Sequence, residues 1–113
     1  MNMNKEKIQR VIRKMLLEHT KITSVTRGEE NPSIEEYYFN FPDEKYLWSV
    51  TQSADGQYYF FYYPSSLDRS EFIRIGIDDL DSRSKDDLKQ LFGLMKDKLF
   101  GFDSVLDDIL SGY

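Results

Sequence analysis

Between Ile34 and Tyr63 the chain reads as three aromatic, β-favouring runs separated by two turns, and no other feature limits its possible folds so strongly. Pro42-Asp43-Glu44-Lys45 breaks the first run from the second, between Phe41 and Tyr46. Ser53-Ala54-Asp55-Gly56 breaks the second from the third and ends in Asp-Gly, a strong hairpin signal. Strands are therefore expected at about 34–41, 46–52 and 57–63, in an antiparallel meander. FIRIGI (72–77) supplies a fourth strand after the PSSLDRS connection, and ITSVTR (22–27) a short fifth one at the edge.

The two turns also suggest a register. Pairing 41 with 46 sets 39 opposite 48 and 37 opposite 50, and pairing 52 with 57 sets 50 opposite 59 and 48 opposite 61. Alternation then places Tyr37, Phe39, Phe41, Tyr46, Trp48, Val50, Tyr59, Phe61 and Tyr63 on one face. Ile73, Ile75 and Ile77 extend that face, which is the expected core. Glu36, Tyr38, Asn40, Leu47, Ser49, Thr51, Tyr58, Phe60 and Tyr62 fall on the other. Tyrosine offers apolar area with a polar handle, so this second face suits a partner. Tyr38, Asn40, Tyr58, Phe60 and Tyr62 are its candidate contact residues. The competing reading makes them cross-strand pairs on a solvated face.

Helices flank the strands. Ile8, Val11, Ile12, Met15 and Leu16 share one stripe of a helix over 5–19, with Lys7, Arg10, Arg13 and Lys14 opposite. His19 returns to the stripe, which makes it an edge-of-core residue; Leu17 lands among the basic side chains. Near the other end, Leu88, Leu91, Phe92, Met95 and Leu99 mark a second helix. Ser84 is its expected N-cap, with Asp87 three residues on, and Gly101 suits its C-terminal stop. Val105, Leu106, Ile109 and Leu110 mark a short closing helix at roughly 104–110. The fold class expected is α+β: an antiparallel meander of four to five strands with N-terminal and C-terminal helices packed on one face, in a single domain over 1–113.

Chemistry finds little to stand on. There is no cysteine, which excludes disulfides and thiolate metal sites, and His19 is the sole histidine. No phosphate-cradling glycine loop and no nucleophile elbow is present. In the acidic stretch at 78–83, Arg83 takes a ligand position of a calcium loop and the turn glycine is missing. The Asp43-Glu44-Lys45 group has nuclease residue types, but consecutive side chains in a tight turn diverge. The expectation is a non-enzyme with no cofactor and no metal.

Charge is unevenly divided. Residues 1–27 hold seven basic against two acidic residues, +5, which leaves −10 for the other 86 in a chain of net charge −5. An acidic chain repels phosphate backbones, and residues 28–63 offer only Lys45 against seven acids as a base-stacking platform. The function expected is a non-catalytic protein-interaction module: an accessory, chaperone-like or inhibitor (immunity-type) protein. The alternative is a nucleic-acid-associated factor using the basic first helix, or an acidic mimic of nucleic acid. The charged N-terminal segment lacks a signal-peptide core and no run is long enough for a membrane span, so the expected setting is the cytoplasm with no membrane partner. Leu17 and Leu94, each off its helix's stripe, join the candidate contact residues. Either they support a two-fold homodimer, or they meet the short last helix inside a monomer.

Overall fold

The first helix, α1, runs Lys5–Leu17 in a computed structural model that describes residues 5–28, 34–65, 68–76, 78 and 80–112. Ile12 and Met15 are fully buried, and Ile8, Val11 and Leu16 pack against the same core. Leu17 stands 70% exposed. The α-helix ends there, and the chain tightens into a 3₁₀ turn at His19–Lys21. His19 is consequently exposed rather than at the core edge, because the helical phase that aimed it inward stops two residues earlier.

Five antiparallel strands follow in spatial order of sequence: β1 (Thr23–Arg27), β2 (Glu35–Asn40), β3 (Leu47–Gln52), β4 (Tyr58–Tyr63) and β5 (Ile73–Gly76). The edge strand expected near 22–27 is present, with an irregular register between Thr23 and Thr26 and a positive φ at Ser24. The first hairpin pairs as expected, Phe39 opposite Trp48 and Tyr37 opposite Val50. The second is displaced by one residue: Trp48 faces Tyr62, Val50 faces Phe60 and Gln52 faces Tyr58.

The turn explains the displacement. Ser53 N donates to Gln57 O and Gly56 N to Ser53 O, both at 2.9 Å, and Gly56 is left-handed at φ 87°. The connection is thus a three-residue loop, Ala54–Gly56, with glycine where positive φ is needed, and not a four-residue break. One residue fewer in the loop turns every β4 side chain to the opposite face. Tyr58, Phe60 and Tyr62 therefore look toward the helices, and Tyr59, Phe61 and Tyr63 away from them.

The core lies between that face and two helices. Tyr37, Phe39, Val50 and Phe60 meet Leu88, Leu91, Phe92 and Met95 of α2 (Ser82–Phe100). Tyr37 sets its edge on Phe92 at 5.3 Å between ring centres, and Trp48 stacks on Phe60 at 5.2 Å. Helix α2 begins two residues before the expected cap: Asp81 is the N-cap, its carboxylate accepting from Ser84 N at 2.8 Å. Parallel to it lies α1, with Gln9 Oε1 accepting from Asp81 N at 2.9 Å and Arg13 paired with Asp87 at 3.0 Å. Gly101, left-handed at φ 63°, stops α2 and turns the chain into α3 (Phe102–Leu110). The architecture is α+β, a five-stranded antiparallel meander with N-terminal and C-terminal helices. Ile77, expected in the core, lies outside the described residues.

The outer face of the sheet is covered from within the chain. Tyr38, Leu47 and Tyr63 form a second buried cluster with Phe61 against it. The Arg69 guanidinium lies 3.9 Å from the Tyr38 ring centre, and Phe72 sets its edge against Phe61 at 5.4 Å. Both residues belong to the β4–β5 connection, so Arg69 and Phe72 lie over part of this face.

Candidate functional site

The seven residues singled out by sequence fall in separate places. Tyr38 is only 6% exposed beneath Arg69, and Asn40, beside it on the outer face, donates to Tyr46 O at 3.3 Å. Tyr58 packs on Phe92 at 5.4 Å, and Phe60 is 1% exposed in the core. Neither belongs to the outer face where the expected register had put it. Leu17 and Leu94 do come together, in a hollow of about 510 Å³ between α1 and α2 that also takes in Gly93 and His19. Ser104, in the first turn of α3, reaches an adjoining hollow shared with His19 and Leu94.

Tyr62 leads to a different surface. At one end of the sheet, past the first turn of α1, the helix-facing side is left open. Ile8, Tyr46, Trp48, Tyr62, Ile73 and Ile75 line a groove there of about 400 Å³. Its shape follows from the strands: Tyr62 is paired with Ile73 and with Trp48, so three adjacent strands contribute side chains to one ledge. Trp48 is held in place from two sides, by its stack on Phe60 and by Nε1 donating to Phe41 O at 3.0 Å. Tyr46 is 43% and Ile73 56% exposed, so the ledge is apolar and open. Lys7 lines the adjoining hollow, and Lys45 lies 5.5 Å from the Tyr46 ring centre. The rim is basic.

A further open apolar surface among the described residues is α3. Val105, Leu106, Ile109 and Leu110 fall within one arc of the helix and are 41–82% exposed. Asp107 and Asp108 occupy the opposite arc. Sequence periodicity located these four residues but assigned them no role, since an apolar stripe records that something is to be covered without naming the cover. Tyr46 and Ile73 were assigned to the core, and only the limited reach of α1 leaves them open.

The basic side of α1 is largely engaged within the chain. Arg10 pairs with Glu6 at 2.9 Å, Arg13 with Asp87, and Lys14 and Lys21 both with Glu18, at 2.9 and 3.0 Å. Among the described residues no three of His, Cys, Asp and Glu are grouped to hold a metal, and no helix is long and apolar enough to cross a membrane. On the outer face, the hydroxyls of Ser49, Thr51 and Tyr63 lie 3.1, 3.3 and 3.4 Å from Glu36 Oε2. That carboxylate is satisfied by its neighbours and supports the sheet.

A second carboxylate network gives a pH signature. The Tyr37 hydroxyl donates to Glu35, and Lys96 Nζ lies 3.3 Å from Glu35 Oε2. The Tyr37 hydrogen bond, ahead of Lys96, holds the Glu35 carboxyl below its ordinary 4.5. Burial, then Glu35, pushes the Tyr37 phenol from 10.0 up to about 12. The depressed carboxyl stabilises the fold above its unfolded value, and that stabilisation is lost as pH falls through the lower folded one. The raised phenol stabilises below pH 10.0 and loses that as pH rises toward about 12. Unfolding midpoints measured against pH are expected to decline at both ends, and Tyr37→Phe to flatten both declines. Unchanged limbs in that variant would rule the network out.

Comparison with known proteins finds no match, whether to a family model, a curated protein or a solved structure.

Proposed function

We propose that the chain is a non-catalytic protein-interaction module, an accessory, chaperone-like or inhibitor protein suited by its lack of cysteine to a reducing cytoplasm. The observation that carries this reading is the exposed apolar arc of α3. Four large aliphatic side chains on nine residues of helix are costly to leave in water, at roughly 25 cal/mol per Å² of apolar surface, unless a partner covers them. A helix presenting one apolar stripe above an acidic back is suited to lying in a groove.

The nucleic-acid alternative draws less support, because four basic residues of the first 27 are already committed to carboxylates within the chain. Affinity capture with cross-linking tests the proposal by comparing the wild type with Leu106→Glu/Ile109→Glu. These side chains are exposed, so the variant is expected to keep the circular dichroism of the wild type while losing bound protein at least tenfold. Equal capture by both proteins, or retention on nucleic acid that falls steeply with salt, would count against the interaction reading.

A further inference from the structure

We infer that the partner of α3 is a second copy of this chain, and that its apolar arc seats in the groove lined by Ile8, Tyr46, Trp48, Tyr62, Ile73 and Ile75. This rests on the interaction reading above and names one occupant for the groove and one cover for the α3 arc.

Three observations converge on it. The two surfaces match in kind: one is an apolar ledge formed by adjacent strand ends, the other an apolar helical arc nine residues long, ~14 Å at 1.5 Å per residue. They are complementary in charge. The segment 102–110 holds three aspartates and no basic residue, and Lys7 and Lys45 stand near the groove; Asp107 and Asp108 lie on the arc away from a seated apolar stripe, so the attraction is one of net charge and not of paired side chains. Finally, they are out of reach of each other within one chain. The groove lies at the start of α1, and the Gln9–Asp81 hydrogen bond sets that end beside the start of α2. Helix α3 leaves from the far end of α2, nineteen residues or ~28 Å away.

Two copies placed side by side and antiparallel satisfy both grooves at once. Each α3 then lies over the other copy's strand ends, and the two contacts close a pair by two-fold symmetry. Closure matters energetically. A single nine-residue helix face covers less than the about 1,200 Å² at which stable interfaces begin, and reciprocity doubles the covered area.

The experiment is sedimentation over a micromolar range with one-sided variants. Wild type is expected at twice 13.4 kDa. Tyr46→Glu/Ile73→Glu, which spoils only the groove, and Leu106→Glu/Ile109→Glu, which spoils only α3, should each sediment as a monomer with unchanged circular dichroism. Mixed in equal amounts, the two variants retain one intact groove and one intact α3 between them. They should therefore recover a dimer, with at least tenfold weaker affinity than wild type. A wild-type monomer at every concentration overturns the inference, as does a dimer that survives the groove substitutions. Mass that keeps growing with concentration shows open head-to-tail assembly and overturns the two-fold closure. If the wild type is monomeric yet Leu106→Glu/Ile109→Glu still loses a captured protein, self-docking falls and the interaction reading stands. If that variant changes neither mass nor capture, both fall.

Discussion

Phe60→Ala is expected to cost about 3–5 kcal/mol of unfolding free energy, and Phe61→Ala less than half as much. The two residues are adjacent and chemically identical, so only the register separates them. Phe60 is opposite Val50 and stacked under Trp48, closed in by α1 and β5. Its removal leaves a cavity that Tyr37 and Phe39, held across the sheet, cannot fill. Phe61 faces the other way, half-buried against Tyr63 and Phe72, where water enters the space an alanine vacates. Urea denaturation of the two variants measures the difference. A greater loss at Phe61 than at Phe60 would restore the four-residue turn and refute the three-residue one.

Arg13→Ala is expected to destabilise by about 2–3 kcal/mol, although arginine on a helix surface is usually replaceable. Asp87 is the reason. Its side chain is 4% exposed, and Arg13 Nη1 lies 3.0 Å from its Oδ1. Without the guanidinium, a nearly buried carboxylate is left with its charge uncompensated. The loss stays below the about 3–5 kcal/mol of a fully buried pair, because the Arg13 side chain is 41% exposed and solvent screens it. Replacing both partners, as Arg13→Met/Asp87→Leu, removes the stranded charge and should recover most of the loss. A denaturation midpoint for Arg13→Ala within error of wild type would show the pair to be idle.

The first hairpin was legible in the sequence because Pro42 admits few ways to break and resume a ladder. The second was not. Asp-Gly identifies a turn, and Gly56 does occupy the left-handed position, but the dipeptide does not say whether Ser53 belongs to the loop or to the strand. In a run as uniform as Tyr58–Tyr63, either face of the strand is aromatic, so hydrophobic pattern cannot arbitrate. Candidate contact residues chosen on that register were carried inward with it, Phe60 most of all. The cover on the outer face was invisible for another reason: Arg69 over Tyr38 is a contact between distant segments, and PSSLDRS has no periodicity to announce it. Leu17 and Leu94 were legible as misfits on their own helices, and α1 and α2 running in parallel bring them together.

Every strand in this sheet lies beside its neighbour in sequence, so four short closures suffice to assemble it. The long closures are those that lay α2 beside α1, spanning 72 residues at Gln9–Asp81 and 74 at Arg13–Asp87. Closure entropy rises only with the logarithm of length; even doubling such a span adds ~0.6 kcal/mol. Added residues in the β1–β2 or β4–β5 connection therefore hardly tax the pairing of the helices. The turn at Ala54–Gly56 is the opposite case, since one residue more or fewer there inverts a whole strand. Tolerance to insertion in this chain is set by the tightest of its turns, while the widest spans absorb length almost freely.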